Sequence, residues 1–166
     1  PFELPGTWAW VRLGAIGSWA AGSTPSRSKP GFYGGDIPWV KSGEVKQGRI
    51  AVTEETITEE ALISCSVRLN PPGSVLVAMY GANIGDTGVL EISATTNQAV
   101  CACIPFTGVD SGFLSYFMSF SKQYLKEQGA GGAQPNISRT KIIDVPFPLA
   151  PRADQSRVAT VLNQTT

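Results

Sequence analysis

Hydrophobic and polar positions along this chain change period several times, and each change marks an element. Residues 4–14, LPGTWAWVRLG, alternate after a Pro-Gly turn, with Trp8 and Trp10 on one face and Val11 and Leu13 bracketing Arg12, which predicts a short strand. Residues 22–36 carry glycine, proline and serine breakers throughout and read as a loop. Residues 37–41, IPWVK, predict a short strand with Pro38 at its beginning or on a sheet edge, and Ser42, Gly43 and Glu44 turn the chain out of it. Thr56 and Glu59 are spaced as a capping box for a short helix ending near Ser64. Strands follow at 67–69 and 74–80 around an Asn-Pro-Pro-Gly turn. The second is apolar at nearly every position, so both its faces are expected to be buried. A glycine-interrupted strand from Ile84 to Leu90 and a buried strand over 99–104 complete the β content of the middle of the chain.

The clearest helix is 111–128, where Phe113, Leu114, Phe117, Met118, Tyr124 and Leu125 recur at helical spacing and Phe120 widens the stripe. Asp110 or Ser111 caps it and Gly129 is the expected residue just past its end. Residues 142–151 read as an extended, proline-punctuated segment. A last helix covers 152–162, with Pro151 in its first turn and Val158, Val161 and Leu162 on one side. The predicted class is α+β: a mixed, mostly antiparallel sheet packed with one long and one or two short helices, residues 1–150 forming a domain and 151–166 opening a further helix.

Composition narrows the function. The chain is 42% hydrophobic over 166 residues, enough for one domain with a true core. Thirteen basic and thirteen acidic residues cancel, so a nucleic-acid partner requires charge segregated by face or phosphate contacts shared with another subunit. The chain has no histidine, which removes the commonest general base, the Ser-His-Asp triad and His-ligated zinc. Cys65, Cys101 and Cys103 are expected as buried free thiols in a reducing, cytoplasmic setting. No apolar run is long enough to span a bilayer, and a chain opening on Pro1 is expected to be part of a longer one.

Chemistry-bearing residues gather in the turns. The stretch GAGGAQPNIS (129–138) combines glycines that permit positive φ or close approach with an outward Gln134, Asn136 and Ser138, and Arg139 and Lys141 follow. Amides and cations of this kind suit base edges and phosphates; a solvated turn after a helix has the same composition. Arg27 and Lys29 beside Phe32 and Tyr33 fit a nucleic-acid contact or an ordinary surface loop. Lys41, Lys46 and Arg49 form a second basic group, while the acids of 53–60 read as a solvated, capped helix that balances the cations and leaves a positive face possible. Tyr80 and Asn83 emerge at the end of a buried strand, and Asn97 and Gln98 precede another. Asn70-Pro71-Pro72 starts like the Asn-Pro-Pro-aromatic motif of amino-methyltransferases, but Gly73 stands where the stacking ring belongs. Residues 129–134 fail the G-x-G-x-x-G pattern at Gln134.

Taken in order, LPGTWAWVRLG, GSTPSRSKPGFYGGDIPWVKSGEV, VLVAMYGANIG, TNQAV, GAGGAQPNIS and VPFPLAPRADQSRV resemble one target recognition domain of the specificity subunit of type I restriction–modification enzymes. The resemblance implies a non-catalytic subunit without cofactor that reads one half of a bipartite sequence in double-stranded DNA. It also implies recruitment of methyltransferase subunits, a restriction subunit joining in restriction complexes, and a C-terminal helix that begins a spacer pairing with a second recognition domain or another copy. By matching segment, the DNA-facing residues would be Arg27, Lys41, Ser42, Lys46, Tyr80, Asn83, Asn97, Gln98, Gln134, Asn136, Arg139 and Lys141, the cations mainly on phosphates and the amides and Tyr80 nearer base edges. Two other readings stay open: a protein-interaction module acting through its C-terminal helix, and a small DNA methyltransferase built on Asn70-Pro71-Pro72.

Overall fold

Val75 to Ala78 are buried on both faces and form the middle of the largest sheet. A computed structural model describes residues 2–166. In chain order the strands and helices are β1 (Ala9–Arg12), β2 (Gly17–Ala21), β3 (Tyr33–Val40), β4 (Arg49–Ile50), β5 (Glu55–Ile57), α1 (Glu59–Ser64), β6 (Val75–Ala78), β7 (Thr87–Leu90), β8 (Thr95–Thr96) and β9 (Val100–Pro105). They continue with α2 (Ser111–Phe120), α3 (Lys122–Gly129), α4 (Arg139–Ile143), β10 (Pro146–Leu149) and α5 (Arg152–Thr165). The α+β class holds, but the β content divides into three sheets: β2-β9-β6-β7-β4, β5-β3-β8, and the ribbon β1-β10. Pairing is antiparallel except for β3 with β8 and β4 with β7.

The alternation of β6 explains why its apolar run is continuous. Val75 and Val77 join Trp19, Cys101 and Cys103 in a core closed by Phe113, Leu114, Met118, Leu125 and Phe147. Leu76 faces the opposite way, with Val40, Val45, Ile50, Leu90 and Ala102. A third cluster of Phe32, Trp39, Ile57 and Ala61 lies between β3, β5 and α1. Burial pushes the Cys101 and Cys103 thiols up to about 12, as befits the expected free, buried thiols, whereas Cys65, also free, is only half-buried at the end of α1.

Several boundaries differ from the expectation for physical reasons. β3 starts at Tyr33, inside the expected loop, because pairing to β5 organises that stretch through an irregular register. Pro38 therefore sits within the central strand of its sheet. Its carbonyl accepts from Thr95 Oγ1 at 2.8 Å, so that side of the residue faces β8, whose pairing begins one residue later at Trp39. The missing N–H falls just short of the neighbouring strand. The cap of α1 is Thr58, which accepts from Ala61 N at 3.2 Å, while Thr56 lies within β5. Residues 67–69 form no strand; Arg68 instead spans from Asn70 Oδ1 (2.8 Å) to the Ala102 carbonyl (2.8 Å).

The expected long helix breaks at Ser121, where ψ is −1°, far from the roughly −42° of a regular α-helix. The break turns the stripe: Phe113, Leu114, Met118 and Leu125 are buried, whereas Phe120 is 81% exposed and Tyr124 also faces outward. Ile142 and Ile143 belong to a short helix capped by Ser138, so the extended segment begins only at β10. In α5 the packed face is Gln155 and Ala159; Val158 is half-buried, and Val161 and Leu162 stay 54% and 36% exposed.

Candidate nucleic-acid interface

Four chain segments that are distant in sequence are laid side by side by backbone hydrogen bonds. Asn97 N donates to Val40 O at 2.9 Å, Met79 N to Ala99 O at 2.8 Å, and Ile137 N to Met79 O at 2.9 Å. Gly81 N then donates to Pro135 O at 2.8 Å, and Tyr80 and Asn136 form an isolated antiparallel bridge. The row sets the end of β3, the turn before β9, the end of β6 and the glycine-rich turn in that order. On it ride Lys41 and Ser42, then Asn97 and Gln98, then Tyr80, then Gln134 and Asn136. The 22–28 loop joins the same end: Gly22 N donates to Val100 O and Ser23 N to Thr96 O, both at 3.1 Å, and Thr24 Oγ1 bonds Gln98 Oε1.

Tyr80, Asn83, Gln134 and Asn136 line one cleft of about 400 Å³. Tyr80 is 45% exposed there, and Gln134 and Asn136 are solvent-facing amides. The glycines of this turn do different jobs. Gly131 takes φ of 136°, which a side chain rarely adopts. Gly129 ends α3 without positive φ; it is buried, and a Cβ there would come within 2.9 Å of Ile84 Cδ1. It therefore serves close packing and is not the left-handed cap expected from its position. Gly81–Asn83 form a 3-10 turn that packs against a second one, Ser42–Gln47, while the cleft itself is lined by residues 80–83 and 133–136. Lys46 is exposed. Asn97 is half-buried, and its Oδ1 accepts from Ala99 N at 3.2 Å, so its carbonyl end completes the turn; Gln98 is exposed.

The basic groups are less free than the sequence led one to expect. Arg27 forms a bidentate pair with Glu55 (2.6 and 3.1 Å), and its guanidinium lies 4.2 Å above the Tyr33 ring. Lys41 Nζ is held by Glu54 at 2.6 Å and Glu55 at 3.2 Å. These hydrogen bonds, that of Arg27 foremost, hold the Glu55 carboxyl at about 2. Glu44, buried, accepts Lys41 N and Glu54 N at 2.8 Å each and locks the two backbones together. Two of the four acids of the 53–60 segment, Glu54 and Glu55, thus cap the cations directly, where charge segregated to another face was expected. Trp39 opposite Glu55 in the β3–β5 register is what brings them there, and no periodicity in the sequence announces that pairing. Arg139 and Lys141 follow the row directly in sequence and are exposed. Arg139 Nη1 donates to Trp19 O at 3.4 Å and Lys141 Nζ to Gln128 O at 2.9 Å, so both complete backbone structure around α4.

Asn70 is buried and committed: its Nδ2 donates to Arg68 O and Ala94 O at 3.1 Å each, and its Oδ1 accepts from Arg68 Nε. The Asn70-Pro71-Pro72 turn thus has no free amide for a base. Among the described residues no three His, Cys, Asp or Glu side chains are grouped to hold a metal, and no helix is long and apolar enough to cross a membrane.

Residues 5–166 match the family described as the type I restriction modification DNA specificity domain. The specificity subunit of the type I restriction enzyme MjaIX of Methanocaldococcus jannaschii is 32% identical over 166 residues, 97% of this chain and 38% of that protein. The EcoR124I/EcoR124II specificity subunit of Escherichia coli is 27% identical over 161 residues, 93% of this chain and 40% of that one. Among solved structures, the HsdS subunit of Thermoanaerobacter tengcongensis superposes with a TM-score of 0.79 at 22% identity, over 98% of this chain and 38% of that one. A chain of a type I R-M system assembly gives 0.81 at 22% identity, over 99% and 39%. The chain spans about two fifths of the length of these relatives.

Proposed function

Because the chain belongs to the type I restriction modification DNA specificity domain family, we propose that it is a non-catalytic reader of one half of a bipartite site in double-stranded DNA. The observation that carries this is the backbone-bonded row ending in the Tyr80–Asn83–Gln134–Asn136 cleft, whose Gly81–Asn83 turn packs on the turn that carries Ser42 and Lys46. Amides offer paired donors and acceptors for base edges, and Tyr80 offers a face and a hydroxyl. Lys46 and Ser42 hold the phosphate backbone, and Asn97 and Gln98 extend the reading surface. Arg27 and Lys41 contact phosphate only after leaving Glu54 and Glu55. Arg139 and Lys141 act through the shape of the α4 turn.

Residues 1–150 constitute the recognition domain and α5 the start of a spacer helix, which recruits methyltransferase subunits and meets a second recognition domain or copy, in the cytoplasm. The exposed Val161 and Leu162 on α5 support that docking role. Fluorescence anisotropy with pooled random duplexes, using the full-length protein and its methyltransferase subunit, tests the reading: binding should fall with salt and enrich one short half-site. Salt-independent binding without enrichment defeats it. Val161→Glu with Leu162→Glu separates docking from DNA reading, because it should lower partner binding and leave half-site preference intact. Removing 152–166 altogether would also strip buried Gln155 and Ala159 from the domain.

A further inference from the structure

We infer that Glu54 and Glu55 are specificity-determining guards: they occupy Arg27 and Lys41 in the DNA-free protein and suppress binding to non-cognate duplex. The inference rests on the DNA-reading function proposed above and adds to it two residues whose contribution is negative.

The geometry is that of a closed, neutral quartet. Two cations meet two carboxylates through contacts of 2.6, 3.1, 2.6 and 3.2 Å. Glu44 fixes the backbone on both sides of the quartet through Lys41 N and Glu54 N, so only side chains can open it. Solvent reaches all four side chains: Glu54 is 68% and Arg27 57% exposed, Lys41 32% and Glu55 29%. Ion pairs open to solvent contribute little to stability, so a phosphate approaching in register displaces the outer Glu54 carboxylate from Lys41 at small cost and Glu55 from Arg27 at a larger one. A duplex without the cognate half-site gains nothing comparable from the amide cleft, and its phosphates meet a patch of zero net charge. Generic affinity, which derives from phosphate neutralisation, is reduced at every wrong site, while the right site recovers the loss through base contacts. The same arrangement explains how a chain with thirteen cations and thirteen acids serves a polyanion without clinging to it.

The test compares Glu54→Gln/Glu55→Gln with Glu59→Gln/Glu60→Gln in the full-length protein assembled with its methyltransferase subunit. Glu59 and Glu60 are exposed acids in the first turn of α1, outside the quartet, and their loss changes total charge equally. Anisotropy is measured with the cognate duplex and with a scrambled duplex across a salt series. Glu54→Gln/Glu55→Gln should tighten scrambled-duplex binding on the order of tenfold at low salt, with the slope of log affinity against log salt steepening by about 1–2. Cognate affinity should change less, so the ratio between the two duplexes falls. Adding Arg27→Ala and Lys41→Ala should return scrambled-duplex affinity to its starting value. An equal gain from Glu59→Gln/Glu60→Gln, an unchanged scrambled-duplex affinity, or weakened cognate binding alone (carboxylates that buttress Arg27 for base reading) each overturns the guard role. If the unaltered protein shows no salt-dependent DNA binding, the recognition function itself fails and the guard fails with it.

Discussion

Tyr80 and Asn136 oppose each other across an isolated antiparallel bridge, although β7, β8, β9, α2 and α3 intervene along the chain. The bridge joins the end of the most buried strand to the most glycine-rich turn. It fixes where Gln134 stands, because Pro135 O is held by Gly81 N at 2.8 Å. An exposed amide carried on a backbone held this way beside a cleft can discriminate. Gln134→Ala is expected to relax base preference at one position of the half-site by about 1–3 kcal/mol. Lys46→Ala, by contrast, should weaken all sequences alike and reduce the salt slope by about 1. Selection from random duplexes, paired with salt titrations, distinguishes the two.

Acid should open the ion-pair quartet. Glu55 is held at about 2 in the folded protein, chiefly by the Arg27 hydrogen bond and then by Lys41, against an ordinary value of 4.5. A carboxyl whose folded-state value is depressed stabilises the fold fully above its ordinary value and loses that contribution as pH falls towards 2. Urea midpoints of the unaltered protein should therefore decline between about pH 5 and pH 2, and Glu55→Gln should decline less over the same window. The difference will be modest, because the quartet is solvent-screened.

Gly22 makes the approach of the 22–28 loop to the row possible. A Cβ at this position would overlap the Thr96 and Asn97 carbonyl oxygens. Gly22→Val should destabilise the domain by about 1–3 kcal/mol through this clash. A calorimetric or denaturant comparison with Gly6→Val measures it, since a Cβ at Gly6 meets nothing within 4 Å.

Gln155 carries the junction between α5 and the domain. Fully buried, it donates to Gly108 O at 3.0 Å and Ala150 O at 2.8 Å and accepts from Asp110 N at 2.8 Å. Asp110 in turn caps α2 by accepting from Phe113 N at 3.0 Å. Gln155→Leu leaves the buried Ala150 carbonyl unpaired and removes the bonds to the more accessible Gly108 O and Asp110 N, and should cost about 1–3 kcal/mol by denaturant unfolding. It should also detach α5, seen as faster amide exchange at Ala159, which Val161→Ser should not cause.

Sequence by itself determined the local elements whose cause is local. The unbroken apolar run of β6, the Asp110 cap of α2, the start of α5 after Pro151 and the expectation of buried thiols at Cys101 and Cys103 follow from period, capping chemistry and polarity, and each stands. The ordered motifs also pointed to the family, because turn residues that shape a surface leave a recognisable series even when each piece is short.

Tertiary structure alone decided which side chains meet. The pairing of β3 with β5 puts Glu54 and Glu55 on Arg27 and Lys41, and no spacing rule relates residues joined by a bulged register. Backbone bonds from the sheet ends bring Asn97, Tyr80 and Asn136 into one row, and Arg139 and Lys141, adjacent to that row in sequence, donate to the carbonyls of Trp19 and Gln128. Ser121 breaks a helix that periodicity reads as continuous, since its turn is set by what α2 and α3 pack against. Periodicity reports the environment of a residue along its own element; the partner across a gap is fixed by strand register and by the competition of each cation between solvent, carboxylate and carbonyl.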